Sequence, residues 1–320
     1  MMRTPAFRST LAQAMTDLVA FKRLEGFDYT VQAEFLKQFD VFLCGQEYCN
    51  TSLSRQIVDA YIAHTDYQAP SGRHSRLSPV RVLSRHLHQL DPESYVLHGF
   101  PFKRPSLPRW YLYSPEDIAT LLRDARSLGP AGSLRPECFH ILVGLLYVTG
   151  LRIEEALALN LGDLDTTRRL LLVREGKFGK ERYVVLHPTT IETVEEYLVK
   201  RNAYAPSDDS SPFFLNCSGR RLMYKSASTT YSEMRNRCNV GHDAPQRPRL
   251  HDLRHTYACN CVLKWYEEGV DVNSKLPILA TAMGHVNVQS TQVYLHVTSR
   301  LLEHAAERFH GTFAATCKGE

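Results

Sequence analysis

Residues 169–186 read RLLLVREGKFGKERYVVL. Two runs rich in branched and aromatic side chains, 169–174 and 182–186, are separated by Gly176, Lys177, Phe178, Gly179 and Lys180, which predicts an antiparallel hairpin with a basic tip. Strand signals nearly stop there. Upstream, 137–149 has helical apolar spacing, and from Leu151 onward Ile153, Ala156 and Leu157 share one face. Ser114-Pro115-Glu116-Asp117 offers an N-cap, a proline at the first helical position and two acids where the helix dipole favours them. Downstream, 188–201, 224–238, 251–268 and 277–283 all look helical, with Gly269 and Gly284 just beyond two of the ends. The fold expected is mainly α with a small antiparallel β-sheet.

The first hundred residues carry short helical patterns, such as Val31, Phe35, Phe39 and Phe42, so an all-α domain is expected there. Residues 99–115, GFPFKRPSLPRWYLYSP, combine four prolines with basic residues and read as an extended linker. The predicted division is therefore 1–108 and 109–320. A chain of 320 residues and 36.5 kDa suits two domains and excludes a peptide hormone or a minimal binding module. No apolar run approaches the roughly 18 residues needed to cross a bilayer, and no membrane partner is expected. The N-terminal MMRTPAFRSTLAQAMTDLV has neither an apolar h-region nor a cleavage site, so a cytoplasmic protein is expected. In a reducing compartment its eight scattered cysteines stay unpaired.

Net charge is only +4, but the basic residues cluster. Residues 73–109 hold seven Lys/Arg against two acids, 168–182 six against two, and 220–254 eight against three. Such stretches are either solvated faces or one electrostatic footprint for nucleic acid. The candidate DNA contacts within them are Arg73, Arg76, Arg104, Lys180, Arg220, Arg221 and Arg249.

The chemistry centres on His251-Asp252-Leu253-Arg254-His255, which on a helix puts His251, Arg254 and His255 on one face. The HxxxH spacing invites a zinc reading, but the catalytic zinc motif needs Glu directly after the first histidine, and Asp252 stands there. The other reading is a pair of planar cationic donors for a phosphate. Around this motif four further pieces occur in order: Thr149-Gly150-Leu151-Arg152 with Glu155, Lys177 in the hairpin tip, Gly284-His285, and Tyr294 nine residues after His285. Taken singly, Arg152 is a helix salt bridge, Lys177 a solvated tip and His285 a helix cap. None of those readings explains the order.

The set resembles the tyrosine recombinase (phage integrase) family over about residues 110–310, with the helical N-terminal segment similar to that family's core-binding domain. The resemblance implies an active site of Arg152, Lys177, His251, Arg254, His285 and Tyr294. Tyr294 is the implied nucleophile, Lys177 the general acid, His251 a group that contacts the phosphate or helps deprotonate Tyr294, and Glu155 a support that orients an active-site partner. It also implies double-stranded DNA with paired recombination sites as substrate, a Holliday junction, a homotetramer on DNA, in some members accessory recombinases, and no metal or other cofactor. A phosphodiester gains negative charge as an oxygen attacks it, so fixed donors such as Arg152, Arg254 and His285 suit the reaction. Leu301, Ala305 and Phe309, flanked by Leu302 and Ala306, predict a C-terminal amphipathic helix that by resemblance docks on a neighbouring protomer. Residues 265–275 exceed the corresponding stretch of compact members. The helical pattern begins within the first few dozen residues, so no separate arm-binding domain is expected. Mobile-element integration or excision is the expected role. Dimer resolution by the same chemistry, a type IB-like topoisomerase and a non-catalytic DNA-binding relic are the alternatives.

Overall fold

A computed structural model of the protein describes residues 5–66, 69–100, 110–174, 181–285 and 289–295. The chain divides into two compact units, Met1–Pro108 and Arg109–Glu320. In the first, helices α1 (Ala12–Leu24), α2 (Thr30–Gly45), α3 (Arg55–His64) and α4 (Pro70–Leu90) surround a core that includes Met15, Leu36, Phe39, Leu43, Val58, Leu77, Val80 and Leu83. The apolar pattern read from α2 is real but rotated: Phe39 is fully buried, whereas Val31 is 60% exposed and Leu36 and Leu43 complete the buried stripe. Ser54 starts α3 by accepting a hydrogen bond from the backbone N–H of Ile57, an N-cap that satisfies one of the helix's orphan donors.

The second unit is built around a helix that is apolar on nearly every side. In α6 (Arg135–Thr149), Cys138, Phe139, Ile141, Leu142, Val143, Leu145 and Leu146 are all buried, the pattern of a helix enclosed by others. It lies against α5 (Pro115–Ala125), α8 (Pro188–Tyr204) and α10 (Leu250–Glu267). Ser114 and Asp117 form the expected capping box at the start of α5. The short α7 (Ile153–Ala158) follows α6 directly, α9 (Tyr224–Arg237) packs on α5 and α7, and α11 (Val272–Met283) packs on α10.

The sheet is small and antiparallel, in the order β1 (Leu164–Asp165), β2 (Leu170–Val173), β3 (Arg182–Val185). Leu171 and Val173 of β2 are buried, while Tyr183 and Val185 of β3 face outward, so the alternation reads as one covered face. The mainly α class with a small antiparallel sheet is thus what the structure shows. Strand β1 was not foreseen, because two residues carry no readable period. Helix α11 begins five residues before the expected start at Pro277: Asp271 caps it by accepting from the N–H of Asn273, and Pro277 sits inside the helix. The stretch 265–275 is therefore the end of α10, a turn, and the start of α11. Among the described residues no helix is long and apolar enough to cross a membrane. The predicted helix at 301–309 and the hairpin tip lie outside the described residues.

Candidate active site

Two helix ends bring the site together. A helix leaves its last carbonyls without partners, and these carry the negative end of its dipole. Helix α6 ends at Gly150 in the left-handed conformation (φ 64°), and its carbonyl accepts from Arg254 Nη1 at 2.6 Å. Helix α11 ends at Gly284, also left-handed (φ 65°), and three consecutive carbonyls there each receive an arginine: Ala282 from Arg182 Nε at 2.9 Å, Met283 from Arg254 Nη2 at 2.6 Å, and Gly284 from Arg152 Nη2 at 2.8 Å. A Cβ at 284 would stand 2.7 Å from Arg182 Nη1, so glycine is required there by the packing as well as by φ.

Glu155 binds the same arginines from the other side. Its side chain is 6% exposed and accepts from Arg152 Nη1 (2.6 Å), from the Arg152 backbone N–H (2.9 Å), and from both Nη1 (3.0 Å) and Nη2 (2.7 Å) of Arg182. Burial alone would raise this carboxyl, but the Arg182 and Arg152 hydrogen bonds hold it below the usual carboxylate range. Glu155 also caps α7, since it accepts from the N–H three residues before it. Arg254 is 2% exposed, and burial together with neighbouring Arg152 lowers its guanidinium to about 10, still fully charged at neutral pH.

The aromatic side of the site lies on α10 and the helical turn 289–295. Tyr294 is 2% exposed, and burial pushes its phenol up to about 12, against the pull of Arg254. Its Oη lies 3.0 Å from His255 Nδ1. The His255 ring stacks on Trp110 (centroids 4.3 Å, planes 15° apart) and meets His251 edge-on at 4.9 Å. His285 lies roughly parallel to the Tyr294 ring at 6.4 Å, and its Nδ1 is 2.7 Å from Oγ1 of the buried Thr291. Burial and the nearby cations lower all three imidazoles, His255 to about 3 and His285 to about 4, so each is neutral at pH 7.

The structure therefore brings Arg152, Glu155, Arg254, His285 and Tyr294 into one cluster, with His251 at its edge. Lys177 lies outside the described residues. Three participants were not read from the sequence as site residues: Arg182, His255 and Trp110. Glu155 held the available signal for Arg182, because a carboxylate on the apolar side of a short helix needs cationic partners, and one arginine three residues away satisfies only part of it.

The other basic candidates separate by what their guanidiniums touch. Arg221 departs from the expected DNA contact: Nη1 donates to the carbonyls of Leu157 (2.8 Å) and Leu159 (3.0 Å), and Nη2 to Asn160 Oδ1, so it closes the end of α7. Arg220 beside it is exposed. Arg249 pairs with the fully buried Asp252 at 2.9 Å, which limits its freedom to follow a phosphate. In the first unit, Arg73 pairs with Asp66, and Arg76 lies over the Phe35 ring at 5.4 Å. Arg104 and Lys180 lie outside the described residues. Arg221→Ala is accordingly expected to destabilise the fold by about 1–3 kcal/mol, the usual cost of stranding buried acceptors, and to leave the salt dependence of DNA affinity unchanged. Arg220→Ala should do the reverse, reducing the slope of log affinity against log salt by about one ion. Thermal melts and a salt titration of each variant check the assignment.

The geometry can be set beside known proteins. The model of the Phage integrase family matches residues 114–300. A putative integrase/recombinase of Sinorhizobium fredii, y4rB, is 34% identical over 94% of this chain and 97% of its own length. The tyrosine recombinase XerC of Pelotomaculum thermopropionicum is 29% identical over 81% of this chain and 82% of its own. Among solved structures, the XerH site-specific recombinase bound to palindromic difH substrate, in a post-cleavage complex, has the same fold, with a TM-score of 0.67 at 19% identity over 88% of this chain and 79% of that one. With a family match over more than half of its residues and a similar relative along nearly its whole length, the chain belongs to the phage integrase family of tyrosine recombinases and is a DNA strand-transfer enzyme.

Proposed function

We propose that the protein is a site-specific recombinase that cuts and rejoins double-stranded DNA at paired sites through a 3′-phosphotyrosine and a Holliday junction, with mobile-element integration or excision as its role. The observation that carries the reading is the set of guanidiniums fixed on the turn at residues 282–284, next to His285 and Tyr294. Arg152, Arg182 and Arg254 against Glu155 leave a net charge of +2. A phosphodiester carries one negative charge and its pentavalent transition state two, so this excess matches the transition state better than the ground state. Arg152 and Arg254 bind the non-bridging oxygens. The contact of Nδ1 with the Thr291 hydroxyl fixes the His285 ring, and in the tautomer protonated on Nε2 neutral His285 serves as a further donor.

In the cleavage step the Oη of Tyr294 bonds to phosphorus, the bond to the 5′-oxygen breaks, and that oxygen takes a proton from Lys177, the general acid implied by the family resemblance. The phenol's own proton passes to the acceptor it already touches. That acceptor is His255, neutral and in contact through Nδ1, rather than His251. His255→Phe keeps a ring on Trp110 and removes the acceptor. It is expected to slow covalent adduct formation about 100-fold, within the range of general-base catalysis, with duplex affinity unchanged. An unaffected rate would return the role to His251.

The 109–320 unit is the catalytic domain in this reading, and the 1–108 unit adds DNA contacts as a core-binding domain. A homotetramer on DNA, assembled through the C-terminal segment and in some settings with accessory recombinases, would act in the cytoplasm on the nucleoid. Support for the mobile-element role is the similarity to an integrase/recombinase along almost the full chain, against the shorter match to XerC. The test is to express the chain in bacteria, stop with denaturant, and sequence the DNA left attached to the protein. Paired junctions at the ends of a mobile element are expected. A single chromosomal locus would point to dimer resolution, and absence of attached DNA would overturn the proposal.

A further inference from the structure

We propose that Arg182 is a positioning residue of the strand-transfer site: by gripping Glu155 with both terminal nitrogens, it prevents that carboxylate from capturing Arg152. The inference rests on the reading of Arg152 as a phosphate ligand. Arg182 opens strand β3, its side chain is 10% exposed, and it makes three hydrogen bonds. Two go to the two oxygens of Glu155 and the third to the Ala282 carbonyl. A single side chain thereby ties β3 to α7 and to the end of α11.

The competition for Glu155 is what makes this arrangement functional rather than only cohesive. A buried carboxylate needs cationic donors, and Arg152 already gives it Nη1 and a backbone N–H. If Arg182 were absent, the remaining lone pairs of Glu155 would be satisfied most readily by turning the Arg152 guanidinium fully onto it. Arg152 would then leave the Gly284 carbonyl and face a carboxylate instead of a phosphate. The fork of Arg182 occupies those lone pairs in a geometry that lysine cannot reproduce. The groups that face Glu155 are the charged Arg152 before α7, Arg182 on β3 and Arg254 on α10, and the titratable, neutral His285 after α11.

The test compares the full-length protein with Arg182→Gln, Arg182→Lys, Glu155→Gln and the double variant Arg182→Gln/Glu155→Gln. The probe is a duplex containing the junction recovered from the attached DNA described above. Arg182→Gln is expected to slow covalent adduct formation by at least 10-fold, with duplex affinity within about 2-fold of wild type. Arg182→Lys, which keeps the charge without the fork, should lie between. The double variant should regain most of the loss, because the uncompensated carboxylate is gone. For the same reason Arg182→Gln should recover as pH falls from 8 toward 5, where protonation of Glu155 releases Arg152, while wild type does not. A double variant as slow as Arg182→Gln at every pH, or an unimpaired single variant, overturns the proposal.

A second measurement needs no DNA and keeps the proposal separate from the recombinase reading. NMR titration of His285 should show its midpoint moving up in Arg182→Gln, down in Glu155→Gln, and back near wild type in the double variant. An unmoved His285 would show that Arg182 is electrically outside the site. If wild type itself forms no adduct while His285 shifts as stated, the recombinase reading fails and the coupling of Arg182 to the site stands.

Discussion

Tyr294→Phe is expected to bind duplex DNA as wild type does and to form no covalent adduct, a loss of at least about 10⁴-fold. The substitution removes one oxygen. The ring keeps its packing against Trp110 (centroids 5.5 Å) and beside His285, and the small cluster containing Ala258, Val262, Leu276 and Met283 stays filled. The bond to His255 is lost, worth about 0.5–1.5 kcal/mol of stability. Chemistry suffers far more, because the covalent route exists only through this hydroxyl. Burial pushes the phenol up to about 12, so it holds its proton at neutral pH. The proton therefore leaves as the bond to phosphorus forms rather than before it. Denaturing gels with labelled duplex measure the adduct, and gel shifts measure affinity. An adduct surviving denaturant with phenylalanine at 294 would move the nucleophile to another residue.

The main features of the fold were legible because they rest on local patterns. The helical period, the Ser114 capping box, and the glycines following α10 and α11 are set by neighbouring residues, and the structure shows them where those residues stand. The boundaries that moved did so through tertiary context. Pro277 reads as a helix start, yet Asp271 supplies a better cap and α10 supplies a surface on which the preceding turn can fold.

At the site, the family resemblance names Arg152, Arg254, His285 and Tyr294, and the structure places them together. What the sequence conceals is which groups hold them. Arg182 looks like one more basic residue in a hairpin strand until Glu155 is seen to be buried. Arg221 looks like half of a basic pair until the carbonyls of Leu157 and Leu159 are seen to need a donor. His255 was visible as a motif position, but its contact with the nucleophile depends on a return of the chain 39 residues later. In each case the deciding quantity is the partner of a buried polar group, which composition and period do not encode.

Arg254 should show the second largest effect, and the form of the loss identifies its role. The side chain bridges the ends of two helices, donating to Gly150 of the loop after α6 and to Met283 of α11, and it remains charged at neutral pH. Arg254→Lys keeps a cation at the site, but one ammonium on a flexible stem cannot hold both carbonyls and also present a donor to a phosphate oxygen. Cleavage is expected to fall by about 10²–10³, the effect of removing one preorganised donor from a developing oxyanion. Arg254→Ala should be slower still and should melt at lower temperature, since it strands two buried carbonyls at about 1–3 kcal/mol each. A chemical control separates charge stabilisation from proton donation. On a duplex with sulfur at the bridging 5′-position the leaving group is a thiolate, which needs little help from an acid. Arg254→Lys should stay slow on that substrate because its defect is in the non-bridging charge, whereas Lys177→Ala should regain most of its rate. If Arg254→Lys were rescued by sulfur, the buried arginine would be acting on the leaving oxygen, and the donor set for the non-bridging oxygens would reduce to Arg152 and His285. If rescue appeared for Lys180→Ala in place of Lys177→Ala, the general acid would lie three residues further along the hairpin.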